Sequence, residues 1–305
     1  MDRRLDPEAA KILRERLALN LPPLSQWTPT FARSLSVPDS VEIPKRFKKI
    51  SLPTNHGPIT FHVHLPSGSG PFPLILFFHG GGFVIGIEDY FSTLQKLAEH
   101  IPSIIVAPKY RLAPEHKFPV GIEDAHSAFE AVVRGLDLEK NYRSKIIVAG
   151  DSAGGNLAAN VILNSKRRDH IAGQILIYPW LDLSLSGNSY AEFSSGFGLT
   201  REKLVWYRGH YLPGEITKFD EPKISPLFAD VKKQPPTFIA TAEFDVVRDD
   251  GERYARKLES TGNSVGLKRY DGMIHGFFEH TERLKAANDL FNDLKRFISG
   301  MDFCS

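Results

Sequence analysis

Apolar residues along this chain fall into three successive rhythms, and each predicts a different kind of element. From residue 1 to about 45, a charged segment places Ile12, Leu13 and Leu17 at helical spacing ahead of a proline-spaced connector, which predicts a helical arm. Over 46–65 the pattern changes to alternation in two runs, KKISL and ITFHVHL, parted by Pro53, Asn55, Gly57 and Pro58; this predicts an antiparallel hairpin. His62 and His64 share one face of its second strand, but no third ligand accompanies them, so that face reads as packing and not as a metal site. Unbroken apolar runs then alternate with helix-length spacers: PLILFF at 73–78, SIIVAP at 103–108, KIIVAG at 145–150, GQILIYP at 173–179, PTFIAT at 236–241 and VGLKRY at 265–270. Strands buried on both faces have this composition, and helical spacers supply right-handed crossovers between parallel neighbours. Hairpin and runs together predict an α/β fold: a mostly parallel sheet of eight strands flanked by helices.

Between 182 and 234 the alternation lapses into aromatic and glycine-rich sequence with Phe193, Phe197, Trp206, Tyr207 and Tyr211. The expectation is a single domain, 1–305, on which this insertion joins residues 1–45 as a helical cap over the carboxyl edge of the sheet.

Composition removes several function classes. The chain has 305 residues, 42% hydrophobic and 24% charged, which suffices for a sizeable core and excludes disordered and fibrous types. Thirty-eight basic against 36 acidic side chains give a net charge of +2, interleaved without blocks, so no nucleic-acid partner is expected. The apolar runs at 74–78 and 175–181 are far shorter than the roughly 18 residues that span a bilayer. The opening MDRRLDPEAAKILRERLALN carries charges throughout and no apolar leader core. Cys304 is the only cysteine, which rules out an intramolecular disulfide or a multi-thiolate metal site and makes the cytoplasm the expected compartment.

Chemistry concentrates in four segments. GDSAGGN at 150–156 contains Gly150-Asp151-Ser152-Ala153-Gly154 directly after the strand KIIVA and before the helix-like NLAANVILNSKR. A serine on a tight strand-to-helix turn needs small residues two positions to either side, because a Cβ there would clash; the turn exposes its Oγ. His79-Gly80-Gly81-Gly82-Phe83 follows the strand PLILFF, and three glycines allow backbone N–H groups to face a cavity, as a tetrahedral oxyanion requires. A phosphate loop is the competing reading, but G-x-x-x-x-G-K is absent and Ile85 breaks G-x-G-x-x-G. A nucleophilic serine needs a base and a carboxylate that orients it. Asp245 lies just after PTFIAT and His275 just after VGLKRY, so the chain order Ser152, Asp245, His275 is nucleophile, acid, base.

These segments, with YRLAPE at 110–115 and Phe118-Pro119, resemble the hormone-sensitive lipase family of α/β-hydrolase carboxylesterases in its bacterial-type branch, over roughly 72–278. The resemblance implies Ser152 as nucleophile, His275 as base, Asp245 as acid, and the N–H groups of Gly81, Gly82 and Ala153 as the oxyanion hole. It also implies a capped site, no metal or organic cofactor, a small-molecule ester substrate, and a homodimer formed through a sheet edge. One departure concerns the acid loop, which in the family reads D-P-L-R-D and here D-V-V-R-D; Glu243 and Asp249 are therefore retained as alternative acids. Glu115 and His116 read as scaffold. Phe83, Phe193, Phe197, Trp206 and Tyr207 are candidates for an apolar acyl or alcohol pocket, with cap packing as the other reading. The expected activity is hydrolysis of short to medium acyl esters. An amidase or lactonase with the same triad is the alternative, and a receptor-like relative, which would lack the base, is disfavoured by His275.

Overall fold

The computed structural model describes residues 4–35, 43–136 and 141–303, so Cys304 and the 36–42 stretch of the expected arm lie outside the described residues. Two helices open the chain, α1 (Pro7–Ala18) and α2 (Pro29–Ser34). Asp6 caps α1 by accepting from the N–H groups of Glu8 and Ala9, with Pro7 in the first turn where its missing donor costs nothing. Ala9, Ile12 and Leu13 are buried, whereas Leu17 is 77% exposed. The apolar stripe expected over three positions thus ends at two, because the last turn of α1 runs past the surface that buries the first.

The hairpin forms as β1 (Phe47–Leu52) and β2 (Ile59–His64), and the six apolar runs become β3 (Phe72–Phe78), β4 (Ile104–Pro108), β5 (Tyr142–Asp151), β6 (Ile171–Ile177), β7 (Thr237–Phe244) and β8 (Val265–Ile274). They make one eight-stranded sheet in the order β1-β2-β4-β3-β5-β6-β7-β8. Only the pairings of β2 are antiparallel; from β4 to β8 every neighbour is parallel. The spacers are α3 (Phe91–His100), α4 (Val120–Arg134), α5 (Ser152–Asn164), α6 (Ser189–Glu192), α7 (Arg201–Tyr211), α8 (Arg248–Ser260) and α9 (Lys285–Ser299). Leu74, Ile75 and Leu76 in the central β3 are at most 1% exposed, and full burial of each such side chain stabilises by about 1.5–3 kcal/mol. His62 and His64 sit among the rings of Phe47 and Phe91, and burial lowers both imidazoles to about 4. Among the described residues no group of three metal-ligating side chains converges, and no helix is long and apolar enough to cross a membrane.

The N-terminal arm is tied to the body by charge. Arg33 of α2 donates to the carbonyls of Val84 and Ala113 and forks onto Glu115, whose carboxyl it holds down to about 2. Arg283 does the same for α1 through Glu8 and Glu15. Lys203 of α7 lies over the Trp27 ring, so arm and 182–234 segment also touch each other.

Candidate active site

The first segment folds as a turn without a loop: β5 ends at Asp151 and α5 begins at Ser152 itself. The sequence pattern started that helix only at Asn156. The difference has a steric cause, since Ser152 takes φ +50° and reverses the chain within one residue. A Cβ on Gly150 would fall on the Gly154 carbonyl oxygen, and a Cβ on Gly154 on that of Phe78. Both positions must stay bare for the turn to close. Because α5 starts there, the N–H of Ala153 belongs to the first turn and has no acceptor within the helix.

Two later strand ends meet this turn. His275 follows β8, with left-handed Gly276 (φ +85°) swinging the chain away behind it. Its Nε2 is 2.9 Å from Ser152 Oγ, and its Nδ1 is 2.7 Å from Asp245 Oδ2. Asp245 is fully buried and its second oxygen accepts from Val247 N–H at 3.0 Å. The loop that lacks the family's proline is held instead by Val246 and Val247, both 0% exposed. The alternative acids are engaged elsewhere: Glu243 accepts from Gly272 N–H, and Asp249 from Arg248 and Ser189.

Gly81, Gly82 and Phe83 have φ of +97°, +60° and +64°, which coils the chain after β3 the wrong way for a helix. Among the described residues neither the Gly81 nor the Gly82 N–H bonds to protein. Donors left bare on a loop that Gly80 fastens to Asp151, the residue before Ser152, are suited to an oxygen that gains negative charge.

Sequence reasoning missed what holds this loop. The Gly80 N–H donates to Asp151 Oδ1 at 2.8 Å, and the Tyr90 hydroxyl donates to Asp151 Oδ2 at 2.9 Å. Burial and the nearby Glu279 push the Asp151 carboxyl well up. Behind it, Tyr110 donates to the His79 carbonyl at 2.8 Å and stacks on its ring at 4.3 Å. Asp151 thus ties the residue before Ser152 to the loop with the bare N–H groups. Removing both its acceptors in Asp151→Ala is expected to lower kcat on the order of 10²-fold, as misplacement by about 1 Å does, with KM little changed. Steady-state kinetics on the folded variant checks this; an unchanged kcat would remove Asp151 from the positioning of the loop.

The candidate pocket aromatics are distributed unevenly. Tyr207 lies against Gly82, where a Cβ would strike its ring, and Trp206 packs on Tyr207 and His210. Phe83 is 2% exposed and stacks on Tyr211 at 3.8 Å. Phe193 and Phe197 cluster with Phe244 beside the acid loop, with Arg248 over the Phe193 ring.

A parallel sheet whose carboxyl ends carry a serine turn, a carboxylate and a histidine in that order defines a hydrolase of the α/β class. The family model described as alpha/beta hydrolase fold matches residues 75–279, and the chain belongs to that family. It is 36% identical over 263 residues to carboxylic ester hydrolase LipN of Mycobacterium tuberculosis, spanning 82% of this chain and 70% of that one. It is 32% identical over 220 residues to the ethyl acetate hydrolase of Pseudomonas putida, covering 70% and 69% of the two. The hyperthermophilic esterase from the archaeon Pyrobaculum calidifontis superposes with a TM-score of 0.89 at 34% identity, covering 97% of this chain and 98% of that one.

Proposed function

We propose that this protein, a carboxylic ester hydrolase, works through Ser152, His275 and Asp245 and an acyl-serine intermediate, in the cytoplasm and without metal or organic cofactor. The observation that carries the reading is the pair of hydrogen bonds, 2.7 and 2.9 Å, that links a buried carboxylate through imidazole to an Oγ on a left-handed turn. Ser152 Oγ attacks the ester carbonyl carbon as its proton passes to His275 Nε2, and Asp245 holds the imidazolium that forms. The carbonyl oxygen, now negative, lies against the N–H groups of Gly81, Gly82 and Ala153. Collapse expels the alcohol, which takes the proton from His275. Water then repeats the sequence on the acyl-enzyme and releases the acid. The homodimer expected of the family would use an open sheet edge, β1 or β8, the latter carrying exposed Leu267.

Residues 1–45 and 182–234 act in this proposal as the cap that limits the acyl pocket. Support comes from Tyr207 against Gly82 and from Arg33, which pins the arm to Val84 beside the same loop. Straight-chain acyl esters of roughly two to eight carbons are the expected best substrates. Each CH₂ that enters the pocket contributes about 0.8 kcal/mol, nearly fourfold in kcat/KM, until the pocket ends. A panel of p-nitrophenyl esters of increasing length checks the optimum. Efficient hydrolysis of emulsified long-chain triglyceride, or faster turnover of matched amides or lactones, would overturn this substrate range.

A further inference from the structure

One ionisable side chain near the site has no part in the chemistry above. Glu279 ends the short helical turn Phe277–Glu279 that follows Gly276. Its N–H donates to the Gly276 carbonyl at 3.1 Å, and the Thr93 hydroxyl donates to the Glu279 carbonyl at 3.4 Å, which fixes its backbone. One carboxyl oxygen lies 3.7 Å from where a Cβ on Gly276 would sit, so the side chain folds back along the loop that carries His275.

Its charge is felt from several segments. His275 acts from its own loop and Arg16 from α1; Asp151 acts from the serine turn, and Tyr90, Tyr178 and Tyr207 from three further segments. Folded back along the loop that carries His275, the carboxyl lies on the histidine side of the serine turn. Yet among the described residues its side chain makes no hydrogen bond and no ion pair. The other charged groups at this corner have partners: Arg283 is taken by Glu8 and Glu15, and Arg16 approaches His280 at 3.5 Å. Burial pushes the Glu279 carboxyl up, against the pull of Arg16 and His275. Half-buried and without a protein partner, the carboxyl is open to a donor that comes beside it.

The chemistry says which part of a substrate would come there. In the mechanism proposed above, on which this inference rests, His275 returns its proton to the departing alcohol, so the substituent of that alcohol lies on the His275 side. Glu279 is one short turn beyond. We propose that Glu279 is a specificity-determining residue of the leaving-group subsite, where its carboxyl accepts a hydrogen bond from a neutral hydroxyl on the alcohol part of the ester. A cationic alcohol suits the corner less, because Arg16 already supplies a fixed positive charge to the same carboxyl.

The test compares ethyl butyrate, 2-hydroxyethyl butyrate and butyrylcholine. All three give the same butyryl-enzyme, so kcat/KM, corrected for their rates of alkaline hydrolysis, isolates the leaving group. The native protein is expected to favour the hydroxyethyl over the ethyl ester by about 3- to 10-fold, the range of one net hydrogen bond, with butyrylcholine below the hydroxyethyl ester. Glu279→Leu should bring the hydroxyethyl-to-ethyl ratio to about one, and Glu279→Ala, which leaves room in place of the carboxyl, should do the same if the leucine variant does not fold. A native ratio near one, a ratio unchanged in the folded variant, or a preference for butyrylcholine overturns the proposal. Failure of the native protein to cleave any of the three, or an active Ser152→Ala protein, strikes the catalytic reading instead, so the two failures are separable.

Discussion

Ser152→Ala is expected to lower kcat for ester hydrolysis on the order of 10⁶-fold while leaving the fold intact. Loss of the nucleophile in a serine triad removes the covalent route altogether, and only the oxyanion donors and substrate binding remain. Stability should change little, because the Oγ has one partner, His275, and the left-handed turn is imposed by the bare Gly150 and Gly154 around it. A fluorophosphonate should form one adduct, on Ser152, in the native protein and none in the variant; tryptic mass mapping reads both. An active Ser152→Ala protein, or an adduct on another serine, would sink the nucleophile assignment.

Asp245→Asn comes next, with an expected loss on the order of 10⁴ in kcat and little in KM. The buried carboxylate accepts from His275 Nδ1 through Oδ2 and from Val247 N–H through Oδ1. An amide that keeps the Val247 bond must turn its NH₂ toward the imidazole, which then presents Nδ1 as an acceptor and leaves the proton on Nε2. In that tautomer the ring cannot take the proton of Ser152. Glu243→Gln and Asp249→Asn should stay within a few-fold of the native rate, since those carboxylates are spent on Gly272 and on Arg248 and Ser189. The reverse pattern, a mild Asp245→Asn and a crippled Glu243→Gln or Asp249→Asn, would move the acid.

The strands were legible by two signals: β3 to β7 are buried along most of their length and are written in apolar runs, while β1 and β2 show the alternation of a hairpin; all eight elements appear where the sequence placed them. The serine turn was legible for a similar reason. Its geometry tolerates no Cβ at Gly150 or Gly154, so a steric demand is spelled out within five residues. Spacing alone leaves the acid open among Glu243, Asp245 and Asp249, because all three fall in one short loop and spacing does not say which way a carboxylate turns. Buried Val246 and Val247 settle the loop without the proline whose absence raised the question.

What eluded the sequence lies in contacts between distant segments. Asp151 meets Gly80 across 71 positions and Tyr90 across 61, and Arg33 meets Glu115 across 82. Leu17 fits the helical rhythm of Ile12 and Leu13 but has no surface to cover it. Glu279 gives no pattern at all, for its interest comes from the side chains around it. Sequence by itself therefore determined the order of the strands along the chain, the place of the serine turn and the set of residues that could meet there. Those features arise from hydrophobic period and steric exclusion, which act over a few neighbouring positions. The tertiary structure decided which carboxylate faces His275, what clamps the glycine loop and that the Glu279 carboxyl, among the described residues, has no protein partner beside the His275 loop. Hydrogen bonds and desolvation depend on distances that only the folded chain sets.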